Sequence, residues 1–181
     1  MKTSTRLFYI SWQVGLSCLI IWLSGQLSFT ILGLSVPITL QSMFAILLPV
    51  WLNSRNAQGG ILLFLFLGGL GLPVFAGGAG GISYFYSNSG GYLIGFYIIS
   101  FLVGIYKRNT TNRSILAFIL LFVILHLTLT AIGLTWITFF NLSEIKFETH
   151  IAPYLPGLVI KSFGGALISL LISKRNLAAN V

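Results

Sequence analysis

The stretch SILAFILLFVILHLTLTAIGLTWITFF, from Ser114 to Phe140, contains no Asp, Glu, Lys or Arg and a single histidine, His126. It is longer than the roughly 20 apolar residues a helix needs to cross the hydrocarbon core of a bilayer. Five further segments approach the same pattern, at about Leu7 to Leu34, Val36 to Leu52, Ile61 to Phe75, Gly91 to Tyr106 and Pro153 to Ser173. The expectation is one all-α, polytopic domain of six transmembrane helices over residues 1–181. The third and fourth segments are short for a crossing, so their Gly-rich neighbours are expected to complete the depth as irregular backbone.

Composition supports lipid as the solvent. Of the 181 residues 56% are hydrophobic and 7% charged, far below the quarter usual in soluble proteins. The net charge of +8 does not make a nucleic-acid footprint, because the basic residues lie singly or in pairs between apolar runs rather than on one face. Cys18 is alone in an apolar run and is expected to be a buried, inert thiol. The N-terminal apolar stretch has no small-x-small site after a short core, so it reads as a retained first span.

Charge placement sets the orientation, since cytoplasmic loops are enriched in Lys and Arg. With six spans and the N-terminus inside, Lys2, Arg6, Arg55, Lys107, Arg108, Arg113, Lys174 and Arg175 fall on the inner side and Lys146 alone on the outer. Both termini are therefore expected in the cytoplasm. The loop from Gly77 to Gly90 then lies outside and carries no charge. Its glycine pairs permit backbone conformations closed to other residues, and non-helical backbone at membrane depth is tolerated only where it is buried or lines a cavity. A cap or wall of a binding site is expected there.

Lys161 lies about eight residues into the last segment, where a charge costs roughly 2.5 to 3.5 kcal/mol. No acid lies in any span; Glu144 and Glu148 both fall in the last outer loop. The ammonium is expected to meet an acceptor of a bound anionic solute, with snorkelling to the interface or an inward-folded Glu148 as alternatives. Thr39, Gln41, Asn88, Ser89, Tyr92 and Tyr154 cluster near the outer ends of the spans and are candidates to complete a pocket, although aromatic residues at this depth also form interfacial belts. His126 has no ligating neighbour at metal spacing and reads as a helix–helix hydrogen bond; His150 reads as a solvated loop residue. Ser11 and Gly15 are small residues four apart on the first span, a spacing that permits close helix packing. There is no G-x-x-x-x-G-K-[ST] loop for ATP, no cofactor or metal cluster, and no nucleophile–base set. An intramembrane enzyme is the rival class, with His126 as its essential residue, and a ligand-free structural subunit is a third.

Three segments carry a family likeness. They are Val36-Pro37-Ile38-Thr39-Leu40-Gln41; Gly68 to Gly78 (GGLGLPVFAGG) followed by Gly80-Gly81 and by Gly90 to Phe96 (GGYLIGF); and Leu155-Pro156-Gly157 with Lys161. They resemble the VPxTxQ, GxxGLPVFAGG...GGYLxGF and PGDxxK signatures of the BioY family, the biotin-specific substrate-binding (S) components of energy-coupling factor (ECF) vitamin transporters. The resemblance implies a six-helix S component in the cell membrane of a prokaryote that holds biotin, a transported ligand rather than a cofactor, near the outer face. Lys161, Phe75, Gly77, Gly78, Gly80 and Gly81 would contact it, with Asn88 and Tyr92 near. An ECF coupling transmembrane subunit and an ATPase pair would dock from the cytoplasmic side, with Ser11 and Gly15 at that contact. Leu158 stands where the family motif has an acid and cannot accept from a ureido N–H. Ser87-Asn88-Ser89 likewise replaces the usual Gly-Pro-Thr or Gly-Arg-Thr. An S component for another small carboxylate-bearing cofactor is therefore the alternative.

Overall fold

The computed structural model describes residues 3–29, 38–110, 114–140, 142–147 and 151–178. Val36, Pro37, Lys2, Arg113, Glu148 and His150 lie outside this set. Among the described residues there are six α-helices: α1 (Thr3–Gln26), α2 (Gln41–Trp51), α3 (Ser54–Gly69), α4 (Gly90–Asn109), α5 (Ile115–Phe139) and α6 (Tyr154–Ala178). The protein is a multi-pass helical membrane protein. Its surface is coated with apolar side chains such as Leu116, Leu120, Ile124, Phe163, Leu167 and Leu171, all exposed, whereas serines 17, 24, 100, 162 and 169 are buried. That inversion is what a hydrocarbon solvent requires, since polar groups must then find partners within the protein.

Four helices, α1, α4, α5 and the part of α6 from Tyr154 to Ser173, are long and apolar enough to cross a membrane. The 11 residues of α2 extend only about 16 Å at 1.5 Å per residue. The chain compensates with non-helical segments on either side. A two-residue antiparallel ladder pairs Ser28 with Thr39 and Phe29 with Ile38, so the first segment's helix stops at Gln26 and the second's begins at Gln41. The third helix begins at Ser54, ahead of the apolar run that starts at Ile61, because the Asn53 side chain accepts from the backbone N–H groups of Arg55 and Asn56, an N-cap that satisfies otherwise orphaned donors.

Because it is apolar on every face, α2 becomes the buried axis. Gln41, Ser42, Met43, Ala45, Ile46, Leu47, Leu48 and Pro49 are all buried, and the helix packs against α1, α3, α4, α5 and α6. Between α1 and α3, Gly60 sits so close to the Ser17 side chain and the Val14 carbonyl that a Cβ there has no room. Gly15, on the outward face of α1, has nothing within 4 Å of the corresponding position. Close approach through small residues is a principal source of helix association in lipid.

Leucine is favoured over glycine in a helix by roughly 0.8–1.0 kcal/mol, so the two sites should respond oppositely. Gly60→Leu is expected to destabilise the protein by about 1–3 kcal/mol through overpacking, and Gly15→Leu to leave stability unchanged or slightly raised. Thermal unfolding of both variants in detergent measures the difference.

Candidate functional site

A cavity of about 410 Å³ opens at the end of the bundle where α4 and α6 begin and α5 ends. Helical periodicity determines what faces it. From α6 come Tyr154, Leu158 and Lys161, at positions i, i+4 and i+7; from α5, His126, Leu129 and Thr130; from α4, Tyr92, Leu93 and Phe96; and from the start of α2, Gln41 and Ser42. These spacings place each set on one helix face. The remaining wall is Gly25, Thr39, Ala76, Gly77, Tyr84 and Ser89. The volume falls in the range of about 300–1,000 Å³ typical of small-molecule sites.

The irregular segment between α3 and α4 forms part of this wall. Gly71, Gly77, Gly78 and Gly81 all take positive φ, between 69° and 103°, conformations that L side chains rarely adopt. The segment is fastened rather than loose. The Gly81 N–H donates to Gly68 O at 2.7 Å and the Phe75 N–H to Ala79 O at 2.9 Å, while Gln26 Nε2 donates to Phe75 O at 3.0 Å. Phe75 is fully buried, edge-on to Phe64 and Phe85 and stacked on Tyr84. It therefore anchors the wall from behind.

Of the residues singled out in the sequence, Lys161, Tyr92, Thr39, Gln41 and Gly77 line the cavity together. Phe75 belongs to the aromatic anchor. Gly78, Gly80 and Gly81 shape the backbone without lining it, Gly80 lying against the Leu72 carbonyl. Asn88 is exposed and its neighbour Ser89 reaches the cavity instead. Ser11 and Gly15 lie on the exposed face of α1, away from the site. Ser42, in an apolar helix start, carried no distinctive signal in the sequence, whereas His126, expected there as a helix–helix hydrogen bond, faces the cavity as well as α6.

The polar groups are sparsely satisfied. Lys161 Nζ donates to Ser42 Oγ at 2.8 Å; among the described residues the one ion pair given by geometry is Lys146 with Glu144, on the surface. Among the described residues no carboxylate lines the cavity. The Tyr92 ring stacks on Tyr154 with centroids 5.6 Å apart. The Tyr92 hydroxyl and His126 Nε2 are buried and have no hydrogen-bond partner among the described residues, a costly state unless a guest supplies the partner. Gln41 Nε2 is held by Ile21 O at 3.3 Å.

A six-helix membrane bundle with a cation-bearing chamber open at one end is the form of a solute-binding membrane subunit. The BioY family model matches residues 2–177, and the chain belongs to the BioY family. It is similar to the biotin transporter BioY2 of Lactococcus lactis subsp. cremoris, 33% identical over 140 residues, covering 74% of this chain and 76% of that protein. It is also similar to the probable biotin transporter BioY of Pyrococcus horikoshii, 31% identical over 134 residues, covering 74% and 78%. Its fold matches the crystal structure of an S-component for biotin from an ECF-type ABC transporter, with a TM-score of 0.77, 25% identity, and coverage of 96% of this chain and 95% of that one.

An ammonium kept at this depth for a guest is a burden without one. Lys161→Met is expected to stabilise the ligand-free protein by about 2 kcal/mol, the insertion cost of the charge less one modest hydrogen bond. Calorimetry or thermal unfolding in detergent reports the sign, and a destabilised Met variant would count against the reading.

Proposed function

We propose that this chain is the membrane-embedded substrate-binding subunit of a biotin uptake system, energised by a coupling transmembrane subunit and an ATPase pair. The observation that carries the reading is the Lys161 ammonium at the wall of a chamber lined, among the described residues, by no acid. A ligand that brings its own acceptor oxygens, as biotin does through its carboxylate and its ureido carbonyl, supplies the missing partner. The apolar surfaces of Leu93, Phe96 and Leu129 suit the thiophane ring and the alkyl chain. Tyr92, Gln41, Thr39 and Gly77 complete the contact, with Gly78, Gly80 and Gly81 holding the wall in shape. The protein is a transporter component and not an enzyme.

The chamber opens to the outside of the cell membrane and both termini are cytoplasmic in this reading. Support comes from the basic residues: Arg55, Lys107 and Arg108 border one shared cleft at the opposite end of the bundle, and the Lys146–Glu144 pair lies at the chamber end. Partners dock along α1, where Ser11 and Gly15 form a shallow, exposed strip. Leu158 at the chamber wall favours, as a second reading, another small carboxylate-bearing cofactor, because it offers an N–H donor nothing to bind.

Equilibrium binding of radiolabelled biotin to the purified full chain separates the two. Saturable binding displaced by unlabelled biotin is expected, with Lys161→Met weakening it at least tenfold; no displacement at micromolar biotin sinks the biotin reading. For the partner strip, Gly15→Leu is expected to keep biotin binding intact while abolishing uptake in cells that supply the coupling subunits. Unimpaired uptake would remove α1 from the contact.

A further inference from the structure

His126 is 3% exposed, and its two ring nitrogens have different surroundings. Nδ1 lies 2.8 Å from the Phe122 carbonyl oxygen and 3.4 Å from Ser162 Oγ. A carbonyl oxygen only accepts, so Nδ1 must carry the proton and donate it. Nε2 faces no protein partner among the described residues, although the ring lines the chamber. An imidazolium here would stand near the Lys161 ammonium in a chamber lined, among the described residues, by no carboxylate. In the neutral ring this tautomer leaves Nε2 with a bare lone pair of fixed direction.

We propose that His126 is a ligand-binding, specificity-determining residue whose Nε2 accepts a hydrogen bond from an N–H of the solute, and that with Lys161 it selects compounds presenting a carbonyl next to an N–H, as a cyclic urea does. The juxtaposition follows from α6: Ser162, which approaches His126 Nδ1, directly follows Lys161 in the chain, and Lys161 and His126 both line the chamber wall. A cyclic urea offers the complementary pair, an oxygen for the ammonium and an adjacent N–H for the imidazole. Leu158, one helical turn before Lys161, offers no competing acceptor. The Phe122 carbonyl acts as the positioning group, because it fixes both the tautomer and the ring plane. An orphaned buried acceptor also penalises any guest that cannot donate, which is how a polar site rejects analogues.

The inference rests on the biotin reading, and the test keeps the two apart. Biotin and its two mono-N-methylated ureido analogues are titrated into the purified full chain and into His126→Phe and His126→Gln. The wild-type protein should bind biotin and discriminate against one N-methyl analogue; His126→Phe should weaken biotin about 10- to 100-fold, the loss expected when a buried partner is left unmatched, and leave that analogue's affinity unchanged. His126→Gln, whose amide oxygen accepts, should recover part of the loss. Equal biotin affinity in wild type and His126→Phe, or one common loss for all three ligands, overturns the role of His126 while the biotin reading stands. Absence of wild-type biotin binding overturns both. A measurement on the unaltered chain guards against a variant that misfolds. With two histidines in the sequence, ¹⁵N-histidine labelling should show one ring in the Nδ1–H tautomer whose Nε2 resonance moves on adding biotin, and a resonance indifferent to biotin refutes the contact.

Discussion

The architecture depends on keeping a charged ammonium within a bundle whose outer surface faces hydrocarbon. Lys161 has one short bond, to Ser42, and that bond ties α6 to the most buried helix of the structure. Around it the chain buries serines such as Ser17, Ser24, Ser100, Ser162 and Ser169 together with an apolar core, while leucine, isoleucine and phenylalanine also cover the outer surface. Among the described residues the buried side-chain polar atoms without a partner, the Tyr92 hydroxyl and His126 Nε2, belong to residues that line the chamber, and its chemistry is defined by what those groups lack.

The shortness of α2 makes the chamber possible. A helix of 11 residues leaves depth unfilled at its N-terminal end, and the segments around residues 38–40 and 70–89 occupy it with backbone that hydrogen-bonds both to helix ends and within itself. The aromatic cluster of Phe64, Phe75, Tyr84 and Phe85 then supports the wall from outside. Rigid backing of this kind lets a loop present Gly77 and Tyr84 to a ligand with little ordering left to do on binding.

The class of fold was legible because hydrophobic runs as long as residues 114–140 have one physical outcome, and Lys161 was legible because a charge amid such a run demands an explanation. Gln41 and Tyr92 followed from polarity at span ends. Other features depend on direction rather than composition. Asn88 and Ser89 are adjacent and both polar, yet the turn entering α4 sends one side chain outward and the other to the chamber. Phe75 carried the motif's likeness but its ring packs into the core. The polar opening turn of α3 lies ahead of the apolar segment expected from Ile61, and its helicity rests on the Asn53 cap. His126 was read as a bond between helices, and the Ser162 approach is such a contact; its second nitrogen is visible only once α5 and α6 are set side by side.

The two ends of α2 meet similar cations under opposite fields. At the C-terminal end, Lys107 Nζ donates to the carbonyl oxygens of Pro49 at 3.1 Å and Leu52 at 2.7 Å, where the partial negative charge of the peptide dipoles welcomes it. At the N-terminal end, Lys161 rests on Ser42 at the second residue of the helix, where the same dipoles present their positive pole. One lysine is thereby quenched by the scaffold and the other is left electrostatically hungry. A single short helix polarises the molecule along its length, with its C-terminal pole already occupied by a cation and its N-terminal pole receptive to electron-rich guests.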